Sequence, residues 1–226
     1  MLARLPMRDL LVAAPRVNKM WNAITLTPTL QRALFFQSYS SDSPPMQNPL
    51  LMELFPPFFA PEGPHGPWFW PGDTESITKM PWASAPEAFR RPDASWRRML
   101  VVQPSAPTLV VTETCHSQQG NFQRRATVDY NDPPSHGLRM GALYDLVVVL
   151  LNSTADLFCI RWPGYDGVNL EDDLRLSVFY TRQCSGRRAG RRLDGRFRSD
   201  VPAAAAPKFG KSVRLQWVES DDSEEE

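Results

Sequence analysis

The residues of this chain whose types could do chemistry are three histidines and three cysteines. Cys115 and His116 are sequence neighbours, but adjacent residues of a strand lie on opposite faces of a sheet, so they cannot pair as nucleophile and base. The others lack the close spacing of zinc ligands; they are His65, His136, Cys159 and Cys184. The sequence therefore predicts no enzyme, no catalytic residue, no metal site and no cofactor.

Charged clusters give no sharper chemistry. The glycine-rich and serine-centred motifs of nucleotide-binding proteins and hydrolases are absent from the sequence. Residues 185–211 carry six arginines, whose guanidinium groups match phosphate oxygens. The formal net charge is zero, so no overall field favours nucleic acid or an acidic membrane. A solvated, disordered insertion is the simpler prediction, either free or paired with the acidic tail 220–226, and we expect no nucleic-acid partner.

Cysteine usage and hydropathy limit the compartment. An odd number of widely spaced cysteines is typical of a reducing environment rather than of a disulfide framework. The longest apolar run, residues 146–151, is far shorter than the roughly 20 residues that cross a membrane. We therefore expect a cytoplasmic or nuclear protein with no membrane partner.

The first 37 residues predict short helices. Residues 7–14 can form one helix between Pro6 and Pro15, and a second can begin at Pro15. On the second helix four side chains form one apolar face at helical spacing; they are Val17, Met20, Trp21 and Ile24. Thr27 and Pro28 are typical of an N-cap followed by a first-turn proline, and the helix they start would present Leu30 and Leu34. So short a module needs a partner or the rest of the chain to fold.

Residues 38–107 form a connecting segment that holds 14 of the 22 prolines and many aromatic residues. A disordered linker would lack such aromatics, so we predict an irregular segment that lies over the next domain with its rings buried. The alternative is a polyproline ligand within residues 61–67.

Regular elements return in residues 108–219. We predict strands at residues 108–114 and 156–162. The length of residues 138–151 favours a helix. Apolar and polar residues alternate in two more ranges, 174–181 and 213–217, as they do in half-buried strands. The predicted class is α+β, with a small antiparallel or mixed sheet and at least one packed helix.

The order of residues near the N-terminus resembles the later part of an F-box. The residues that carry the resemblance are Leu5-Pro6, Asp9-Leu10-Leu11, the Val-x-Lys-x-Trp of 17–21 and the Pro-Thr-Leu of 28–30. The whole chain also resembles F-box proteins of filamentous fungi, through residues 48–59, 95–100 and 140–146. In that family the F-box docks a substrate receptor on the Skp adaptor of a cullin ubiquitin ligase.

The resemblance implies a non-catalytic receptor with two partners, the Skp adaptor of the cullin ligase and an unknown protein substrate. The adaptor-binding residues that it implies are Leu5, Pro6, Leu10, Leu11, Val17, Trp21 and Ile24. Asn18 stands where the family commonly has cysteine.

One departure leaves two other interpretations open. A complete F-box begins with another helix, and only residues 1–4 precede the match, so the F-box is expected to be incomplete and its adaptor binding weakened. The same helices could instead pack on the C-terminal domain of an interaction or structural protein. The basic, acid-poor start also fits a mitochondrial presequence of about 36 residues, although Pro6 and Pro15 interrupt the long helix that such a presequence needs.

Overall fold

The computed structural model describes residues 5–39, 44–61, 70–81, 86–89, 91–117, 120–130, 137–153, 155–165, 173–180 and 218–219. Four short helices come first: α1 (Met7–Val12), α2 (Ala14–Val17), α3 (Lys19–Thr25) and α4 (Pro28–Ala33). Thr27 lies at the N-cap position of α4 and Pro28 opens that helix, as predicted, but the Thr27 side chain makes no capping hydrogen bond. Its hydroxyl donates to the Ile24 carbonyl at 2.7 Å instead.

The prediction of one helix from Pro15 through Ile24 is wrong. The backbone is fully extended at Asn18, with φ −167° and ψ 173°, and this separates α2 from α3. The Asn18 side chain accepts a hydrogen bond of 2.9 Å from the Trp21 N–H, which satisfies one of the free donors at a helix start. Asn18 therefore begins a new helix instead of continuing the old one.

The connecting segment contains short helices and strands, and proline is the first residue of three of these helices. It holds β1 (Met46–Gln47), α5 (Pro49–Leu54), α6 (Pro56–Phe59), β2 (Gly72–Asp73), α7 (Thr74–Thr78), α8 (Pro86–Phe89), α9 (Ser95–Arg98) and β3 (Val102–Gln103). Proline opens α5, α6 and α8 because its fixed φ suits the first turn, where its missing N–H is not needed. β1 and β3 pair with each other as an antiparallel two-stranded sheet.

The rings of this segment are buried, as predicted, wherever the structure describes them in α6 and α9. Phe58 is fully buried, and Trp96 is 7% exposed. Phe59 stacks on Trp162 of the C-terminal region with ring centroids 4.9 Å apart, and the Trp162 indole N–H donates to the Phe58 carbonyl. The possible polyproline ligand lies outside the described residues, apart from Pro61.

The C-terminal region forms most of a six-stranded mixed sheet. Its elements are β4 (Thr108–Ser117), β5 (Gly120–Asp129), α10 (Met140–Ser153), β6 (Leu157–Arg161), β7 (Arg175–Tyr180) and β8 (Val218–Glu219). The strand order is β2-β6-β7-β4-β5-β8. Among the described strands, only the neighbours β4 and β7 pair in parallel, with Val110 opposite Arg175. The predicted α+β class, the mixed sheet and the helical assignment of α10 are confirmed.

The main core lies between α10 and one face of the sheet, and the connecting segment completes it. From the sheet it receives Leu109, Ile160 and Leu176, and from α10 it receives Leu143 and Val147. At the start of α10, a Cβ on Gly141 would lie 2.8 Å from the Arg97 carbonyl oxygen. The absence of a side chain there allows α9 to lie directly against α10. We call residues 44–180 the body.

One strand prediction needs correction, and one strand was not predicted. β7 was expected to be half-buried, but Ser177 is only 8% exposed and Phe179 is fully buried, so its second face is covered as well. Trp70 contributes to that cover, with its ring centroid 6.3 Å from that of Phe179. β5 was not predicted at all. It pairs with β4 along ten residues, from Thr108 opposite Asp129 to Ser117 opposite Gly120.

Several predictions fall outside the described residues. They are the strand at 213–217, the arginine-rich insertion 185–211 and the acidic tail 220–226. The described β8 follows the first of these directly and pairs with β5, with Glu219 opposite Arg124.

Candidate docking surface

The four N-terminal helices, α1–α4, are held together by a small core of their own. Its buried side chains are Leu10, Leu30 and Leu34, and five partly buried ones pack against them: Met7, Leu11, Trp21, Ile24 and Phe36. We call residues 5–38 the helical module. Its core is small because four helices of four to seven residues present little surface to one another.

Local backbone chemistry sets where these helices start. The Pro6 carbonyl accepts hydrogen bonds from the Asp9 and Leu10 N–H groups, at 3.0 and 3.1 Å. Asp9 lies in the first turn of α1, where a negative charge is favourable. The Gln31 side chain donates to the Thr25 carbonyl at 2.8 Å, which ties α4 to the end of α3.

The seven residues that the F-box resemblance implies fall into three groups. Leu10 is 3% exposed and belongs to the core of the module, so its side chain positions the helices and offers no surface to a partner. Leu11, Trp21 and Ile24 are half-buried against that core. Leu5, Pro6 and Val17 are exposed.

Further exposed apolar side chains lie beside these residues. Met20 is 71% exposed, Leu26 is 66% exposed and Val12 is 55% exposed. The sequence pattern placed Met20 on the predicted apolar face, so the sequence already marked this residue as a candidate for contact with a partner. Val12 and Leu26 carry no such signal, because Val12 is the last residue of α1 and Leu26 caps the end of α3.

The distribution of exposed apolar side chains sets the module apart. Eight large apolar residues are exposed within the described part of the chain, five of them in residues 5–26; the other three are Tyr39, Met46 and Met52. Apolar side chains scattered singly on a surface are ordinary, but here most of the exposed ones fall in one short segment, which makes this segment the candidate docking surface.

The charges around the module are mostly positive. Arg8, Arg16, Lys19 and Arg32 are exposed, and Asp9 is the single acidic residue in residues 5–38. Arg8 approaches Glu53 of the body at 3.8 Å, but both side chains are more than 60% exposed. Such a pair contributes little to stability, so Arg8 is not fixed in place by Glu53.

Among the described residues, no three histidine, cysteine or acidic side chains lie close enough together to hold a metal ion. Cys115 and His116 are consecutive in β4. No described helix is long and apolar enough to cross a membrane.

Comparison with known proteins adds no relative. No protein-family profile matches the chain, and no curated protein or solved structure is significantly similar to it.

Proposed function

We propose that the protein is a non-catalytic substrate receptor of a Skp-cullin-F-box ubiquitin ligase. In this proposal the helical module docks on the Skp adaptor and the body recruits a protein substrate. The observation that carries the proposal is that, of the eight large apolar side chains exposed in the described part of the chain, five lie in the segment that resembles an F-box. Such a role belongs to the cytoplasm or the nucleus.

In this proposal, the most exposed apolar side chains of the module would make the contacts with the adaptor. Val17, Met20 and Leu26 are available for burial against a partner. Full burial of an aliphatic side chain contributes roughly 1.5–3 kcal/mol, so three of them contribute about 4.5–9 kcal/mol before the cost of association. A dissociation constant of 1 μM corresponds to about 8.2 kcal/mol. Association costs at least roughly 4 kcal/mol of that sum, so these three side chains alone fall short of micromolar affinity, and the rest of the docking surface must contribute further contacts.

Calorimetry with purified Skp adaptor tests the proposal. We expect the protein to bind, and we expect V17A/M20A to bind at least about tenfold more weakly, because each alanine removes apolar contact area. The matched control is Met52→Ala, which alters an exposed methionine on α5, outside the module. It should bind like the parent protein. A version extended by the first helix of a complete F-box should bind more tightly still. Failure of that extended version to bind would overturn the proposal.

A second candidate function is suggested by the side chains of the module that pack against the body. Met7, Leu11 and Phe36 also pack against the core of the body, which is what an F-box remnant kept for intramolecular packing would do. The protein would then be an interaction or structural protein without adaptor binding.

Trp21→Ala separates the two candidates. Complete removal of a buried tryptophan costs roughly 3–5 kcal/mol, and Trp21 is half-buried. If the module serves only intramolecular packing, the variant should lose stability in proportion, with no adaptor binding in either protein. If the module docks on the adaptor, binding should fall much more than stability does.

A further inference from the structure

We infer that Gln103 is a positioning residue that fixes the orientation of the helical module on the body. Gln103 lies in β3 of the connecting segment and is 1% exposed. Its side-chain nitrogen donates to the Arg32 carbonyl at 2.9 Å and to the Gln37 carbonyl at 2.7 Å. Both acceptors belong to the module, so one buried amide joins the two parts.

The two acceptors lie on either side of the point where the module enters the body. Phe35 stands between them, with its side chain 1% exposed in the core of the body and its backbone in the left-handed region at φ 60°. The Phe35 carbonyl accepts a 2.7 Å hydrogen bond from the Leu100 N–H. Gln103 therefore makes hydrogen bonds to this turn on both sides of Phe35, the residue that is buried in the body.

The residue type suits this position. The Arg32 carbonyl belongs to the last turn of α4 and already accepts a 2.9 Å hydrogen bond from the Phe35 N–H, so Gln103 adds a second donor there. A side-chain amide nitrogen carries two N–H groups, which allows Gln103 to donate to both carbonyl oxygens. Glutamate would place an acceptor against two acceptors, and an apolar side chain would leave both carbonyls without this donor.

Apolar contacts alone would not set the orientation. Met7, Leu11 and Phe36 of the module pack against the body, but burial of apolar surface is non-directional. Hydrogen bonds depend steeply on angle. Besides the Gln103 pair, the Ser105 N–H donates to the Ser38 hydroxyl at 2.9 Å. The polar contacts of Leu100, Gln103 and Ser105 therefore determine how the module is turned.

The consequence for function rests on the proposed function. In a ligase the adaptor would hold the module, so the orientation that Gln103 fixes would decide where the body holds its substrate. Gln103 then acts on substrate placement without contacting adaptor or substrate.

Hydrogen exchange of the full chain, followed by mass spectrometry, tests the inference without any partner. Gln103→Met keeps the volume and removes both hydrogen bonds. Two neutral hydrogen bonds of ordinary strength correspond to about a 5- to 150-fold change in an opening equilibrium. We expect exchange in residues 5–34 to accelerate within that range, while α10 and β6 keep their protection. The matched control, Gln37→Met, changes an exposed side chain of the module and leaves its accepting carbonyl in place; it should exchange like the parent.

Two more variants keep the test decisive if Gln103→Met folds poorly. Ser38→Ala removes one hydrogen bond of the same junction, so we expect a smaller acceleration confined to the module. In Gln103→Glu the protonated carboxyl can donate one hydrogen bond and the ionised one none. Protection of the module, corrected for intrinsic exchange, should therefore fall as pH rises through the titration of that carboxyl. Unchanged exchange of the module in Gln103→Met, or equal acceleration in module and body, would overturn the inference.

Adaptor binding separates this inference from the proposed function. Gln103→Met should bind the adaptor within about threefold of the parent protein, since the exposed docking side chains are intact. If the parent protein itself does not bind, the proposed function fails, and the exchange result still decides the role of Gln103.

Discussion

Val17 and Val147 are both helical valines, yet Val17 is 56% exposed and Val147 is fully buried. Val17 ends a four-residue helix of the module, whereas Val147 lies in the middle of a 14-residue helix covered by a six-stranded sheet. A long helix on a sheet can bury most of its circumference, but four short helices cannot bury all their apolar side chains in one another. Within the described residues, the long helix of the body therefore buries most of its apolar side chains, whereas the short helices of the module leave several of theirs exposed.

The strongest test of this comparison removes one large apolar side chain from each region. Phe158→Ala empties a fully buried site in β6, whose ring lies 5.0 Å from that of Phe58. We expect the free energy of unfolding to fall by about 3–5 kcal/mol. Met20→Ala should change it by less than about 0.5 kcal/mol, because that side chain is exposed. Urea denaturation of both variants measures the difference. A large loss from Met20→Ala would mean that this residue is part of a core in solution.

A gentler test asks whether the module is a separate cooperative unit. Leu10→Ala should cost about 2 kcal/mol, the low end of the range for leucine, because the core of the module is small and partly open. We expect the loss to appear as faster hydrogen exchange in residues 5–34, with β4 and α10 unchanged. Leu109→Ala, in the core of the body, is the matched control and should accelerate exchange in both regions. If Leu10→Ala lowers the protection of α10 as well, the two regions unfold together.

The same contrast explains which parts of the fold could be predicted from sequence. The helix α10 was predictable in spite of its three consecutive valines, because 14 residues between turns exceed the usual length of a strand. The sequence predicts a half-buried β7, because Arg175, Ser177 and Thr181 alternate with apolar residues. The cover that buries Phe179 includes Trp70, which is more than a hundred residues away along the chain. β5 carries few apolar side chains, so its pairing with β4 leaves no local pattern.

The candidate docking surface shows the same limits at the level of single residues. The F-box resemblance drew attention to Val17 and Trp21, but it could not tell which apolar residues face inward. Leu10 and Leu11 are adjacent, yet Leu10 belongs to the core of the module and Leu11 is half-buried. The break at Asn18 sets the direction of α3. It could have been predicted from sequence, because asparagine is a common N-cap residue and its hydrogen bond is local. The hydrogen-bond partners of Gln103 could not be predicted from sequence, because they lie 66 and 71 residues away along the chain.

The smallest expected effect comes from comparing two ion pairs. Arg8 and Glu53 join the two regions at the surface, whereas Arg97 of α9 and Asp145 of α10 are mostly buried within the body. Arg8→Met should change stability by less than about 0.5 kcal/mol. Arg97→Met should cost about 1–2 kcal/mol at neutral pH, less than a fully buried pair would, because both groups retain some solvent contact.

The pH dependence of Arg97→Met identifies the cause of its loss. Burial raises the pKa of Asp145 above its ordinary value of 3.8, and Arg97 partly offsets that rise. The folded state therefore holds the Asp145 proton more tightly than the unfolded state does, and this group lowers stability as pH rises from about 4 through its folded pKa. Without Arg97 the pKa of Asp145 should rise further, so the variant should lose stability more steeply over that window than the parent does. Below pH 4 the carboxyl is neutral in both proteins, and the two stabilities should converge. Urea denaturation at several pH values from 3.5 to 8 measures this. A difference that stays constant with pH would show that Arg97 contributes through packing on the Trp96 ring and not through its charge.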